Sequence, residues 1–189
     1  MKKFDSLLFL QAFLKNPKRV GSILPSSKFL ASKIIQSVRW TEVKTIAELG
    51  SGTGAITHLM KAKLPSSAIV FLFERDKGMR NNLKKKYPDF MFHSNASYLL
   101  KKMHQEHIHQ LDCIICGLPF FNFSREMRLN ILSQITAALK PGGLLVLYQH
   151  TLLMKKKLAD QLVIENIKFV PFNFPPVYVY TCRKKEDEN

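Results

Sequence analysis

The sequence predicts an α/β protein built on a seven-stranded, mostly parallel sheet with helices on both faces. After Trp40, short apolar runs typical of strands alternate with helical patterns, which is the order expected of a parallel sheet. The first run breaks on Gly50, Gly52 and Gly54, as a tight strand-to-helix loop would. The last two runs have no helix between them, so we expect the final strand to lie antiparallel.

Each predicted element depends on a local pattern. Runs rich in Val, Ile, Leu and Phe indicate strands at 43–49, 68–74, 90–93, 111–116, 144–149, 168–172 and 177–182. Apolar residues at helical spacing indicate helices at 55–64, 77–86, 96–104, 124–139 and 152–166. The stretch Lys140-Pro141-Gly142-Gly143 predicts a turn into the fifth strand.

The residues before this alternation are predicted to form a helical N-terminal segment at 1–40 on the side of the substrate or membrane. Apolar residues recur near helical spacing at 4–14 with basic residues on both sides, and a second helix is predicted at 25–39. A basic amphipathic helix can lie in a membrane interface or pack on its own domain, and the sequence leaves both open. The main domain is predicted at 41–182, with a charged tail at 183–189, and 189 residues suit this organisation.

The charge balance favours polyanionic partners. With 29 Lys+Arg against 14 Asp+Glu, the formal net charge of +15 attracts nucleic acid and anionic lipid surfaces alike. No apolar run approaches the roughly 18 residues of a membrane-spanning helix, and no signal-peptide cleavage site follows the first residues. We therefore expect a cytoplasmic protein whose partner is the inner membrane surface or RNA.

The cysteines and histidines predict no metal site. Cys113 and Cys116 match a C-x-x-C spacing, but in a strand residues three apart point to opposite faces. His104, His107 and His109 lie in a polar stretch without accompanying cysteine or carboxylate ligands. Three cysteines give no even disulfide framework, which is typical of a reducing compartment.

The glycine-rich junction after the first strand is the strongest functional signal. An apolar run ends in Glu48 and breaks on Gly50, Gly52 and Gly54 before a helical pattern begins. Glycines at such a junction let the backbone approach a ligand that a Cβ would block. A dinucleotide loop has its third glycine one place later, and a phosphate loop ends in Gly-Lys-Ser/Thr, so neither pattern fits.

The stretch Glu48-Leu49-Gly50-Ser51-Gly52-Thr53-Gly54 resembles motif I of the class I S-adenosylmethionine-dependent methyltransferases. The resemblance implies their Rossmann-like fold and S-adenosylmethionine as the cofactor. Glu74 ends the second strand and can accept both hydroxyl hydrogens of a ribose. Asn95 occupies a position where such enzymes often have an Asp that holds the adenine amine. The expected cofactor-binding residues are Glu48, Gly50, Ser51, Gly52, Gly54, Glu74, Arg75, Asn95 and Ala96.

The fourth strand leads into Gly117-Leu118-Pro119-Phe120, which resembles motif IV of amine-methylating enzymes. Pro119 stiffens the chain and lacks an N–H, so preceding carbonyls can turn toward a bound group. Phe120 is expected to form a flat wall for a base or a cationic headgroup. Nucleic-acid adenine methylases favour Asn or Asp in the first position. Gly117 occupies that position here, which argues against adenine.

Two further stretches resemble bacterial phospholipid N-methyltransferases. Residues 16–27 match their N-terminal N-P-x-x-V-G-S-I-x-P-S pattern, and residues 173–178 resemble their late N-x-P-P-A-x-V-Y pattern. With the two motifs above and the glycine pair at 142–143, the matches span nearly the whole chain. The resemblance implies methylation of a phosphatidylethanolamine-type amine. The expected substrate contacts are Arg19, Ser22, Ser26 and Tyr178.

The implied reaction is an in-line displacement at the sulfonium methyl by an uncharged amine. Alignment of nucleophile, methyl and sulfur, together with desolvation of the amine, carries most of such catalysis. The amine is protonated at neutral pH and must lose its proton first. Tyr148, His150 and Tyr178 lie near strand ends and are candidates to assist, although a packing role is open for each. The expected catalytic set is Gly117, Leu118, Pro119, Phe120 and Tyr148.

Two other functions remain open on the sequence. Ribosomal RNA adenine dimethyltransferases are related in motif pattern, and the charge of +15 favours them. Gly117 argues against them, as does the short stretch after the last strand, which leaves no room for a C-terminal RNA-binding domain. A non-catalytic membrane- or RNA-binding protein that retains the cofactor fold would explain the charge. It would leave Glu48, Glu74 and the glycine loop without a task.

Overall fold

The computed structural model describes residues 28–173 and 175–186. The described helices are α1 (Lys28–Ile35), α2 (Ala55–Lys61), α3 (Lys77–Lys86), α4 (Leu99–Gln105), α5 (Arg125–Ala138) and α6 (Lys155–Gln161). The strands are β1 (Thr45–Leu49), β2 (Ile69–Phe73), β3 (Met91–His93), β4 (Leu111–Cys116), β5 (Leu139–Gln149), β6 (Leu162–Val170) and β7 (Val177–Lys184). The helix predicted at 4–14 lies outside the described residues.

The strands form one seven-stranded sheet in the order β3-β2-β1-β4-β5-β7-β6. Parallel pairing joins β3, β2, β1, β4 and β5 in turn, whereas β7 lies antiparallel to both β5 and β6. The predicted α/β fold with an antiparallel final strand is therefore confirmed. The chain moves outward from β1 to β3 and then returns to β4 beside β1. The carboxyl ends of β1 and β4 thus flank the switch point where ligands of such sheets bind.

Helices cover both faces of the sheet, each over its own apolar core. One core joins the sheet to α4, α5 and α6, and the other joins it to α1, α2 and α3. Fully burying one Leu or Phe side chain is worth about 1.5–3 kcal/mol, so the two layers hold the strands firmly. The side chains that anchor the helices include Leu99, Ile131 and Leu158 on one face and Leu30, Met60 and Leu83 on the other.

The C-x-x-C pair shows the alternation expected of a strand. Cys113 lies in the core under α1–α3, whereas Cys116 lies in the core under α4–α6, and both are buried. Burial raises the pKa of the Cys116 thiol to about 12, which keeps it protonated. Within residues 28–173 and 175–186, no group of three or more His, Cys, Asp or Glu side chains is arranged to hold a metal ion.

The helix predicted at 152–166 is too long, and the sixth strand begins earlier than predicted. Helix α6 ends at Gln161, and β6 runs from Leu162 to Val170. Antiparallel pairing decides this, because β6 follows β7 from Leu162 opposite Lys184 to Val170 opposite Val177. The β-branched Val and Ile residues of this stretch also suit a strand better than a helix.

The turn predicted at 140–143 is part of β5 instead. Strand β5 begins at Leu139, and its pairing with β4 shifts register between Leu111 and Cys113. Gly142 has a φ of +69°, a backbone conformation that the extra residues of such an irregularity require. In the described part of the chain, no helix combines the length and apolar composition needed to cross a bilayer.

Candidate active site

The glycine loop between β1 and α2 is shaped by three left-handed residues. Gly50, Gly52 and Gly54 have φ values of +84°, +54° and +84°, which other L-residues rarely adopt. The Gly50 and Ser51 amides donate to the Phe73 carbonyl at 2.8 and 3.1 Å, which ties the loop to the end of β2. A Cβ on Gly54 would collide with Leu83. Nothing lies within 4 Å of a Cβ built on Gly52, so the backbone there opens to the crevice.

Two polar side chains behind this loop are buried with an oxygen left unpaired in the described structure. Glu48 is 1% exposed, and its Oε2 accepts from the Thr57 hydroxyl at 2.6 Å while Oε1 has no partner. Burial raises the pKa of Glu48 to about 8, and the charge of Glu74 adds to this shift. The Ser51 hydroxyl is buried and also lacks a partner. Such orphaned groups beside an open loop suit a polar ligand.

Glu74 lies at the rim of the crevice, where the loop and the end of β2 meet. Its Oε2 accepts from the Gly52 amide at 2.7 Å, and its Oε1 accepts from the Asp76 amide at 2.8 Å. Arg80 donates to the backbone carbonyls of Glu74 and Arg75 at 2.7 and 3.1 Å and so holds this turn. Each carboxylate oxygen keeps a second lone pair. The arrangement can therefore accept two hydroxyl hydrogens, as a ribose would supply.

Asn95 follows β3 and caps the short 3-10 turn Ala96–Tyr98. Its side-chain oxygen accepts from the Ser97 amide at 2.9 Å. This oxygen was expected to accept from an adenine amine, which would now have to share it with Ser97. Asn95 and Ala96 both line the crevice, with Arg75 on the neighbouring turn.

The motif that follows β4 packs directly on the carboxyl end of strand β5. The Gly117 amide donates to the Leu49 carbonyl at 2.9 Å, so the segment leaves the sheet at the switch point. A Cβ on Gly117 would collide with the hydroxyl and ring of Tyr148. Gly117, Leu118, Pro119 and Tyr148 all line the crevice. Tyr148 therefore occupies the space that a side chain at position 117 would need.

The aromatic wall of the crevice beside this motif comes from residues that the sequence did not single out. Phe120 was expected to form it, but Phe120 is 1% exposed and packs into the core beneath the motif, with its ring centroid 5.9 Å from that of Phe123. Phe121 and Phe123 line the crevice instead. The 3-10 turn Phe120–Asn122 explains the exchange, because it rotates successive side chains to different sides.

Three polar residues from two neighbouring segments complete this half, and they are Gln149, His150 and Asn173. His150 Nδ1 lies 2.8 Å from the Pro176 carbonyl, and Asn173 Nδ2 donates to the Pro175 carbonyl at 2.8 Å. Burial lowers the pKa of His150, and the contact with Pro176 only partly offsets this. His150 was a candidate on the sequence and Asn173 belongs to the late motif, whereas Gln149 carried no local signal.

The structure places the remaining expected residues away from the crevice wall or does not describe them. Tyr178 pairs with Gln149 across the β5–β7 ladder, and its ring lies 5.1 Å from that of Phe169, outside the crevice lining. Glu48, which is buried in β1, and Gly54, which directly precedes α2, are not among the residues that line the crevice. Arg19, Ser22 and Ser26 fall outside the described residues.

The two halves form one continuous crevice of about 810 Å³ along the carboxyl ends of the parallel strands. This is at the upper end of the range for small-molecule sites, so it has room for two reactants. Among the described residues, the charged side chains that line it are Glu74 and Arg75, which belong to the half beside the glycine loop. The described side chains that line the half beside Tyr148 are uncharged aromatic and amide groups and His150.

Comparisons with known proteins agree with this geometry. A family model described as a methyltransferase domain matches residues 46–143. The ornithine lipid N-methyltransferase of Singulisphaera acidiphila is 26% identical over 190 residues, which cover 95% of this chain and 96% of that protein.

Solved structures share the fold at lower identity. The N-methyltransferase NodS from Bradyrhizobium japonicum WM9, in complex with S-adenosyl-L-homocysteine, matches with a TM-score of 0.65 at 14% identity. That match covers 96% of this chain and 99% of NodS. TrmN from Thermus thermophilus matches with a TM-score of 0.65 at 16% identity over 82% of this chain, which spans 48% of the TrmN chain.

Proposed function

The chain belongs to the methyltransferase domain family, and from this premise we propose that it transfers a methyl group to a primary amine on a lipid headgroup. The packing of Tyr148 against Gly117 is the observation that carries the choice of acceptor. An adenine methylase would place an Asn or Asp side chain at position 117 to contact its target amine. Here Tyr148 fills that space, so the acceptor amine would meet a phenol and an aromatic wall.

S-adenosylmethionine is the methyl donor of this family, and the residues of the first half fit it. The Gly52 backbone opens to the crevice, the buried Ser51 hydroxyl on the crevice wall has unused hydrogen-bonding capacity, and Glu74 can accept from a ribose. When bound, the cofactor supplies a methyl group that is activated by the positive charge of its sulfur. The glycine loop and Glu74 would hold this donor in the first half of the crevice, next to the half that we propose for the acceptor.

The uncharged lining of the second half favours the reactive form of an amine. A protonated amine entering from water would find no carboxylate among the described side chains there, so its charge would be poorly solvated. Desolvation of this kind lowers an amine pKa. His150 lines this half of the crevice and can take the released proton, because burial lowers its pKa and so favours the uncharged ring that accepts one. Phe121 and Phe123 exclude water from the reacting nitrogen.

We take the acceptor to be a phosphatidylethanolamine-type amine at an anionic membrane surface. The relative from Singulisphaera acidiphila is named for an ornithine lipid, which also presents a primary amine on an acylated headgroup. The formal charge of +15 would concentrate the protein at an anionic surface. Peripheral binding at the inner membrane would then bring the crevice to its substrate.

A single partition experiment tests this proposal. The protein is incubated with radiolabelled S-adenosylmethionine and one of four acceptors: anionic liposomes containing phosphatidylethanolamine, ornithine lipid or phosphatidylcholine, or total RNA. We expect label in phosphatidylethanolamine and in ornithine lipid but none in phosphatidylcholine. Phosphatidylcholine liposomes carry the same surface charge as the phosphatidylethanolamine liposomes, but their headgroup nitrogen has no N–H. Label in RNA with none in lipid would refute the lipid acceptor and favour adenine. Calorimetry with the cofactor alone checks binding independently, and absence of heat would refute the donor as well.

A further inference from the structure

Gln149 is a buried glutamine whose side chain forms hydrogen bonds with the backbone of the motif that follows β4. It is the last residue of β5, it is 5% exposed, and it lines the crevice. Its Nε2 donates to the Leu118 carbonyl and to the Tyr148 carbonyl, both at 2.7 Å. Its Oε1 accepts from the Phe120 amide at 3.2 Å. One carboxamide thus holds the backbone on both sides of Pro119.

The segment that Gln149 holds makes few other backbone hydrogen bonds to the sheet among the described residues. The Gly117 amide makes the last ladder contact, with Leu49, and Pro119 has no N–H to offer. Within the turn, the Phe120 amide also donates to the Leu118 carbonyl at 2.9 Å, which closes a tight local loop. Three contacts therefore set the position of this loop relative to β5: the Gln149 hydrogen bonds, the packing of Tyr148 on Gly117, and the burial of the Phe120 ring in the core.

We propose that Gln149 is a positioning residue that fixes the acceptor-binding loop at 117–120 relative to the methyl donor. The inference rests on the proposed methyl transfer to an amine, and it concerns the geometry of that reaction rather than its acceptor. In-line displacement needs the nitrogen, the methyl carbon and the sulfur aligned, and a shift of about 1 Å in such an arrangement can cost roughly a hundredfold in rate. The hydrogen bonds of the Gln149 side chain go to residues 118, 120 and 148 and none goes to the glycine loop, so we expect donor binding to be retained when they are removed.

Two substitutions remove hydrogen bonds of the Gln149 side chain in different ways. Gln149→Met keeps the length and removes all three hydrogen bonds. Gln149→Glu keeps an acceptor for the Phe120 amide but places an oxygen against the Leu118 and Tyr148 carbonyls. Gln134→Met is the matched control, because Gln134 also bonds a backbone amide, that of Leu100 at 3.1 Å, but does not line the crevice.

We expect kcat for the lipid amine to fall about 10- to 100-fold in both Gln149 variants. Cofactor affinity by calorimetry should be unchanged, and so should every property of Gln134→Met apart from a small loss of thermal stability. A kcat close to that of the wild type in a folded Gln149→Met protein would overturn the proposal. A parallel loss of cofactor affinity would also overturn it, because it would indicate a general structural role.

Amide hydrogen exchange provides a readout that needs no acceptor. Loss of protection at Phe120 in Gln149→Met, with the Gly52 amide protected as before by Glu74, is the expected result. An unchanged exchange rate at the Phe120 amide would refute the claim that Gln149 holds the loop at 117–120. If the wild-type protein methylates no lipid amine but Phe120 loses protection, the proposed acceptor fails while the positioning role of Gln149 stands for whichever amine is methylated.

Discussion

The packing of Gly117 on Tyr148 leads to a double-mutant prediction that tests the acceptor site directly. In Gly117→Ala the new Cβ would lie 2.9 Å from Tyr148 Cε1 and closer still to Cζ and the hydroxyl. Ordinary contact begins at 3.4 Å and the nearest atom, the Tyr148 hydroxyl, would lie at 1.9 Å, so the side chain must move by about 3.4 − 1.9 = 1.5 Å to clear it. Overpacking of this kind costs about 1–3 kcal/mol of unfolding free energy. For a protein of this size each kcal/mol lowers Tm by roughly 2–4 °C.

The origin of the cost is tested by changing the tyrosine. Tyr148→Phe removes the hydroxyl but keeps Cζ and Cε1, so Gly117→Ala should remain costly in that background. Tyr148→Ala removes the three atoms that lie nearest to the new Cβ. The same Gly117→Ala change should then cost less than about 0.5 kcal/mol, the usual limit for sites that do not interact. Urea unfolding of the six proteins in this series gives the coupling energies.

The activity of the same series decides whether the contact matters for the acceptor. We expect Gly117→Ala to lower kcat with the lipid amine by at least about tenfold through displacement of Tyr148, while calorimetry shows unchanged cofactor affinity. If Gly117→Ala were as stable and active as the wild type, or equally costly beside Tyr148→Ala, the argument that Tyr148 occupies the position of a motif IV side chain would be refuted.

Three other predictions follow from the site and the core. Glu74→Gln should weaken cofactor binding about 10- to 100-fold in calorimetry, which is the equivalent of losing one charge-assisted hydrogen bond. The control Glu126→Gln, on the exposed first turn of α5, should bind the cofactor as the wild type does. Wild-type affinity in Glu74→Gln would contradict the ribose role of Glu74. Burial raises the pKa of Glu48 from 4.5 to about 8, so the folded state holds a proton that the unfolded state has lost, and wild-type stability should fall as pH rises through this window. Glu48→Gln should escape that loss and gain up to about 1.4 kcal/mol per pH unit relative to the wild type in cofactor-free urea unfolding; a difference that is constant between pH 5 and 8 would show that Glu48 titrates normally. The three buried cysteines should not react with a thiol reagent in the native protein, since burial raises the pKa of Cys116 and Cys182 to about 12, and rapid labelling before denaturation would contradict the described core.

The sequence predicted the parallel part of the sheet because that part has local signals. Buried strands such as β1 and β4 are continuous apolar runs, and the loop after β1 needs glycines for its positive φ values. The sequence pattern wrongly predicts helix for the first part of β6, because Leu162–Val170 is an edge strand in which apolar and polar residues do not alternate strictly. Its conformation is decided by the ladder with β7, which no local pattern reveals.

The two halves of the crevice differed in predictability for a similar reason. The glycine loop, Glu74 and Asn95 lie at the ends of successive strands, so topology alone brings them together. Phe120 and Phe121 are neighbours in the chain, and only the 3-10 turn decides which of them faces the crevice. Gln149 ends a buried strand as an ordinary polar residue, and its role becomes visible only through its contacts with Leu118 and Phe120.

Gly117 shows why an acceptor site cannot be inferred from one motif. On the sequence it appeared as a missing Asn or Asp and therefore as an argument against adenine. In the structure the same glycine is required by Tyr148, a residue 31 positions later whose ring would collide with any Cβ at position 117. The half of the crevice that we propose for the acceptor is thus defined by the pairing of a residue after β4 with a residue at the end of β5. Because parallel strands bring those two positions together, a large residue at one forces a small residue at the other, and acceptor specificity has to be inferred from both.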